Sequence, residues 1–423
     1  MVDESHVGVM GEAIDGNRAR VLIYLHTHGV CSRASVARAL NLTPAAVTKL
    51  VSRLLDEGIV KETGGIEGRG NRRSIGVRLI SSDFHVIGVK IARSLVQIGV
   101  FDLAGKPLTV STLPTVTDKA VGDAVEAIRC GISALVESDP LIRAVGMAVP
   151  GPYLRKVGRT ALVSSMQGWR RINFLREFSH RFAVPVFVEQ DARAGVLAHH
   201  LFDLEARTSN LAYYLLGEGV GLGILDNGRL INGEQGAATE VGHVSIDVNG
   251  RPCECGNVGC LEQYCSAVAI HQEVVERQLV HSAQSMSHQQ ACQALFDAAE
   301  DGDANARELV QRVGRYVGYG CVTIINSFNP RRIVIGDIVS HAGSLLLDAA
   351  CDVVERRVIP EVKDETTIAL SDMSPDATVT GAAAVAIEQL LSHPALLASQ
   401  GKSEVTRERG MSGKTSEPSP TVP

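Results

Sequence analysis

The sequence predicts an α/β protein led by a small basic helical module, and three observations predict it. Eleven Lys or Arg stand against four acids between Asn17 and Arg78, a local charge of +7 on a chain whose net charge is -6, which leaves -13 for the remainder. Apolar residues in that stretch recur at helical spacing, whereas after Ser81 strand-like runs alternate with helical ones. A third feature, four Cys/His residues between positions 243 and 260, points to a metal. At 423 residues the chain has room for two or three domains, and 45% hydrophobic with 21% charged residues excludes a disordered one. No apolar run approaches a membrane span. The first ten residues, MVDESHVGVM, lack the basic start and apolar block of a secretory signal, so a cytoplasmic protein without membrane attachment is expected.

In chain order, residues 1–16 read as an extension and 17–80 as a winged helix-turn-helix. Val21, Leu22 and Leu25 mark a helix from Asn17 to His28, stopped by Gly29. Ser32 caps a second helix, Arg33 to Leu40, with Val36, Ala37 and Leu40 inward. Thr43 followed by Pro44 starts a third, running to about Glu57, because Thr accepts orphan N–H groups and Pro at the first position lacks one. Val47, Leu50, Val51, Leu54 and Leu55 fall on one face. Thr43, Ala45, Ala46, Thr48, Lys49, Ser52 and Arg53 are left outside; short side chains admit close approach to base edges, and the two cations reach phosphates. Ile59–Thr63 and Ser74–Ile80 alternate as strands around GGIEGRGNRRS, a wing in which Arg69, Arg72 and Arg73 could enter a minor groove. The competing reading of a bare three-helix bundle is a dimerisation or docking module, which the Arg-rich wing disfavours.

From 81 to 391 the pattern is αβ. HVIGVKI, LVQIGVFDL and Pro107–Thr115 read as consecutive strands, followed by a helix from about Lys119 to Glu137. IRAVGMAVPGP and VPVFVEQD are further strands, and Ala192–Phe202 a helix. In EVGHVSIDVNGRPCECGNVGCLE, His243, Cys253, Cys255 and Cys260 supply one imidazole and three thiols, a set suited to a closed tetrahedral Zn²⁺ site of structural type. Gly256 and Gly259 let the backbone turn back so that closely spaced ligands meet. Cys265 is assigned to a helical core, and Cys31, Cys130, Cys292, Cys321 and Cys351 to core packing. LGEGVGLGILDNG reads as a hairpin in which the glycines permit close backbone approach. Residues 392–423, polar and rich in Ser and Pro, read as a disordered tail.

Together the winged helix, EVGH, CECGNVGCLE and GEGVGLGI resemble the ROK family of repressors, open reading frames and kinases, over nearly the whole span from Asn17 to Leu391. The leading DNA-binding module points to its regulator branch, with the xylose and N-acetylglucosamine repressors. The resemblance implies an actin-like or ribonuclease-H-like domain of two α/β lobes, with a sugar in the cleft between them. Family kinases carry Asp-x-Gly-Gly-Thr on the first hairpin; here Lys90 replaces the Asp, Ala92 and Arg93 the glycines and Ser94 the Thr. A cation where magnesium should bind and a long side chain where backbone meets phosphate oppose ATP use. Glu218, where kinases usually have Thr, adds negative charge there. On the sugar side, Asp191 matches the catalytic aspartate, Gln190 replaces its usual Asn neighbour, and Glu240, His243 and Glu262 match hydroxyl-binding positions. Ser165 replaces an Asn often found before Gly168-Trp169. The expectation is a non-enzymatic, sugar-responsive regulator, most naturally a repressor. It would bind a pseudo-palindromic double-stranded operator as a homodimer or homotetramer, with a sugar or sugar phosphate as effector and a sugar-transport protein as a further candidate partner. The alternative is an ATP-dependent sugar kinase with an appended DNA-binding domain.

Overall fold

The computed structural model describes residues 4–66, 74–92, 95–161, 167–203, 205, 208–373 and 377–398. The chain divides into two compact units, Met1–Ile80 with Leu390–Pro423, and Ser81–Gln389. None of the described helices is long and apolar enough to cross a membrane.

In the first unit, α1 (Glu4–His28) starts well before the Asn17 expected from its apolar spacing. Its buried Val21, Leu22 and Leu25 meet Val36 and Ala37 of α2 (Arg33–Leu40) and Val47, Leu50, Val51 and Leu54 of α3 (Pro44–Asp56) in a small apolar core. Leu40 and Leu55 are half-buried at its margin. Capping works as the residue types demand: the Ser35 N–H donates to Ser32 Oγ at 3.0 Å and the Ala46 N–H to Thr43 Oγ1 at 3.2 Å. Between α2 and α3 the chain reverses at Asn41, with φ 55°. The strands β1 (Cys31–Ser32), β2 (Val60–Ile66) and β3 (Ser74–Leu79) form an antiparallel sheet in the order β1-β3-β2. Among the described residues, several of these cations have local structural duties. Arg18 is buried against Glu57, Arg33 pairs with Glu62 at 2.7 Å, and Arg20 donates to the Leu40 carbonyl at 2.7 Å.

The second unit contains two five-stranded sheets of the same construction. In the first, β4 (His85–Ile91), β5 (Val96–Asp102) and β6 (Pro107–Thr112) make an antiparallel meander. Helix α4 (Val121–Ser138) leads to β7 (Ile142–Val149), which pairs parallel with β4. A two-stranded hairpin, β8 (Tyr153–Leu154) and β9 (Arg159–Thr160), and short helices α5 (Gln167–Arg170) and α6 (Phe174–Phe178) precede β10 (Val186–Gln190), parallel to β7. Helix α7 (Asp191–Phe202) then leads to the second sheet. There β11 (Leu211–Leu216), β12 (Val220–Asp226) and β13 (Arg229–Leu230) repeat the meander. After α8 (Glu262–Cys265), α9 (Ala267–Glu276), α10 (His288–Glu300) and α11 (Ala304–Phe328), β14 (Arg332–Gly336) pairs parallel with β11. Helices α12 (Gly343–Arg357) and α13 (Pro360–Lys363) lead to β15 (Thr367–Leu370), parallel to β14. Three antiparallel strands with two parallel strands added beyond the first, made twice, are the two α/β lobes.

Each lobe has its own core. Trp169, Phe174 and Phe178 join Ile87, Ile98 and Val145 under the first sheet, while Tyr214, Leu222, Ile324 and Ile335 belong to the second. Helix α14 (Ala377–Ser392) lies directly on the first sheet: a Cβ at Gly88 would come 2.7 Å from the Val379 carbonyl oxygen, and one at Gly146 1.9 Å from that of Ala382. Cys265, Cys292, Cys321 and Cys31 are buried as expected. Cys130 is exposed on the outer side of α4 and Cys351 is only half-buried, because both helices turn only one side to the core.

Candidate functional site

The outer face of α3 presents Thr43, Ala45, Thr48, Lys49, Ser52 and Arg53 to solvent, with Ala46 and the capping Ser32 half-buried. Arg53 is held by Glu57, Nε to Oε1 at 3.2 Å. The wing arginines Arg69, Arg72 and Arg73 lie outside the described residues, as do Arg93, Ser94 and Ser165.

The cleft residues gather around the start of α7. The strand β10 ends at Gln190, whose carboxamide oxygen accepts from the Arg193 N–H at 3.0 Å and so caps the helix. Its side chain is buried, with Nε2 packed close to Gly151 and Gly221. Close approach of β12 to this turn explains the glycine-rich hairpin: a Cβ at Gly223 would lie 2.2 Å from the Ala192 carbonyl oxygen, and one at Gly221 3.0 Å from Ala192 Cβ. Strand-to-helix contact, rather than positive φ, demands glycine at these two positions.

Asp191, the first residue of α7, accepts from its own Ala192 N–H through Oδ1 at 2.8 Å. Its Oδ2 lies 3.5 Å from Nζ of Lys90, which is buried at the end of β4. An ammonium thus stands opposite this carboxylate. Ala92 follows on the same strand end. Asp337, just past β14, faces the same corner: burial pushes its carboxyl upward while Lys90 pulls it down. It holds φ 73° and ψ -165°, a backbone region almost confined to glycine.

Beneath Asp191 lies a second charged group. Arg193 is completely buried; its Nε donates to Glu189 Oε1 at 2.7 Å, and Arg155 shares the same carboxylate. Glu240, preceding a turn Val241–His243, is pushed up to about 7 by burial, with Arg193 opposing and Asp191 and Glu262 adding to the shift. Glu262 opens α8 and accepts the Val220 N–H through Oε2 at 3.0 Å, so one of its oxygens anchors β12. Glu218 is half-buried in the β11–β12 turn.

Next to Glu240, the imidazole of His243 and the thiols of Cys253, Cys255 and Cys260 bring one ligand atom each within 4.8 Å of the others. Cys253 Sγ is 3.7 Å from His243 Nδ1, and Cys255 Sγ 3.6 Å from Cys260 Sγ. Four ligands at roughly 2.0–2.3 Å from one ion would have edges of about this length. Gly256 and Gly259, at φ 92° and 73°, make the two turns that close the group. Burial and its thiol neighbours push Cys260 up to about 12. The residues fit a metal. His243 turns Nδ1 toward the thiols and keeps Nε2 for another partner.

The cleft calls for more charged residues than the motifs named. Arg155, Glu189, Arg193 and Asp337 were not singled out; the Glu189–Arg193 spacing of four was a readable signal for one pair, while Asp337 had none.

Residues 86–389 match the ROK family and residues 14–61 a winged helix-turn-helix DNA-binding family. The DNA-binding transcriptional dual regulator NagC of Escherichia coli (strain K12) is 30% identical over 364 residues, 84% of this chain and 89% of that protein. The xylose repressor of Bacillus spizizenii is 27% identical over 366 residues, covering 85% and 92%. Among solved structures, a ROK family transcriptional regulator described as a homologue of the E. coli MLC protein superposes with a TM-score of 0.76 at 27% identity, covering 91% of this chain and 98% of that one. A Streptomyces griseus ROK glucokinase in complex with glucose and AMPPNP gives 0.62 at 27% identity, covering 71% and 98%.

Proposed function

Because the chain belongs to the ROK family and carries a winged helix-turn-helix ahead of the family domain, we propose that it is a sugar-responsive DNA-binding transcriptional regulator. Its action is repression of carbohydrate uptake or catabolism genes, in the cytoplasm. Of the proteins named above, the NagC regulator, the xylose repressor and the MLC homologue are regulators. The observation that carries the reading is the outward polar face of α3, which leaves Thr43, Thr48, Lys49 and Ser52 open to a major groove. Two such helices in a symmetric homodimer or homotetramer read a pseudo-palindromic operator with half-sites about one helical turn, or multiples of it, apart.

The effector, a sugar or sugar phosphate, sits between the two lobes against Asp191, Glu240, His243, Glu262 and Gln190. It lowers operator affinity by preferring the weaker-binding conformation. Zn²⁺ held by His243, Cys253, Cys255 and Cys260 supplies a fixed crosslink; four protein ligands make it structural, and Nδ1 ligation orients Nε2 of His243. Cys253→Ser is expected to lower zinc stoichiometry, and unchanged zinc content would contradict the ligand set. A sugar-transport protein is a further candidate partner.

Capture of sheared genomic DNA by the purified protein, with sequencing of bound fragments, tests the regulator. Enrichment of a palindrome near sugar-uptake or catabolic genes is expected; no enrichment by folded, metal-loaded protein would overturn it. Retention of Asp191 favours the sugar-kinase reading, and Lys90, 3.5 Å from it, opposes that reading as a cation in the position of the phosphate motif's Asp. ADP release with a hexose panel above background would reinstate the kinase.

A further inference from the structure

Arg193 carries donors that the fold leaves unused. Its guanidinium has five N–H groups; Nε is spent on Glu189, while Nη1 and Nη2 are buried and find no acceptor among the described residues. Glu189 is itself shared with Arg155, so one carboxylate serves two guanidiniums. Glu240 shows the complementary shortfall: its Oε1 is buried without a donor, and Arg193 is the foremost charge acting on it. Buried polar groups left unmade are costly, and two opposite deficits close enough for one charge to act on the other mark a place where a ligand completes the network.

The chemistry of that ligand follows from the two deficits. Arg193 needs an acceptor and Glu240 needs a donor, and a hydroxyl is both at once. A phosphate dianion offers acceptors only and would be set among the carboxylates of Asp191, Glu240 and Glu262, with Lys90 already engaged by Asp191. We infer that Arg193 is a specificity-determining residue of the effector site, donating through Nη1 and Nη2 to adjacent hydroxyls of a neutral sugar whose protons go to Glu240. The inference rests on the sugar-effector reading above and narrows it to an unphosphorylated ligand at this subsite. The guanidinium is already dehydrated and held by Glu189, so little ordering is required on binding.

Calorimetric titration of the full chain with glucose, xylose, N-acetylglucosamine and glucose 6-phosphate tests this, in the wild type and in Arg193→Lys. The lysine keeps a cation opposite Glu189 but loses the fork. A neutral sugar is expected to bind the wild type more tightly than its phosphate, and to lose about tenfold or more in Arg193→Lys. In a monodeoxy series of that sugar, the penalty for removing the hydroxyl read by Arg193 should vanish in the variant, which a merely structural role would not produce. Equal affinity and equal deoxy penalties in both proteins would overturn the role of Arg193 and leave the sugar reading standing. Binding of the phosphosugar alone would do the same. Failure of every sugar to bind folded wild-type protein would bring down both. The wild-type comparison of glucose with its phosphate needs no variant, so it decides the neutral-ligand claim even if Arg193→Lys does not fold.

Discussion

Helices α3 and α7 begin in the same manner and end up with opposite characters. Each starts from a side-chain cap, Thr43 accepting from Ala46 and Gln190 accepting from Arg193. Past the cap, α3 turns its polar residues to water, whereas α7 turns Asp191 and Arg193 inward, against Lys90 and Glu189. An exposed functional helix needs only its own sequence to be polar on one face. A buried one needs counter-charges delivered by other elements, and those decide which ligand it can accept.

The comparison is broken most forcefully at Glu189. Glu189→Ala leaves Arg155 and Arg193 without their shared carboxylate and is expected to cost about 3–5 kcal/mol, read as an earlier urea transition of the larger unit. If the loss is under 1 kcal/mol, the α7 cluster is no more demanding than α3. Next comes Glu240. Its carboxyl is raised from 4.5 to about 7 in the folded chain, so between those values the folded state binds more protons than the unfolded one. Stability is therefore highest below pH 4.5 as far as this group is concerned, and is lost as pH rises through 7, by roughly 3 kcal/mol in full. Glu240→Gln should remove that dependence and be the more stable protein at pH 8; an unchanged slope of stability against pH would contradict the assigned burial. Thr43→Ala should cost about 1 kcal/mol through the lost cap of α3, measured by thermal melting of the small unit. Lys49→Ala sharpens the contrast from the other side. Its stability should stay within about 0.5 kcal/mol of wild type, while operator affinity falls and the salt dependence of binding loses about one phosphate contact; unaltered operator binding would remove Lys49 from the interface.

The same contrast explains what was legible beforehand. The third helix could be read from Thr43-Pro44 and the spacing of Val47, Leu50, Val51 and Leu54 because each signal lies within one turn of its consequence. The His/Cys cluster was legible for a similar reason, with His243 to Cys260 close in sequence and glycines at the turns. The partner of Asp191 was not, since Lys90 is 101 positions away and was recognised only as an odd residue in a phosphate motif. Gln190 looked like a ligand-binding amide and proved to spend its oxygen on capping, which depends on where β10 stops. The early start of α1 escaped because residues before Asn17 carry no regular apolar spacing.

The seam between α14 and the first sheet, where Gly88 and Gly146 touch helix backbone, bears on how genetic data for this protein should be read. A screen for alleles that have lost regulation, whether always on or always off, will sample these glycines as well as Glu240 or Arg193, because a single methyl at Gly146 would fall 1.9 Å from a carbonyl oxygen. Such alleles lose the protein itself and thus mimic derepression, whereas a true effector-blind allele keeps full abundance and stays locked on its operator. Immunoblotting each isolate separates the two kinds before any is assigned to the ligand site.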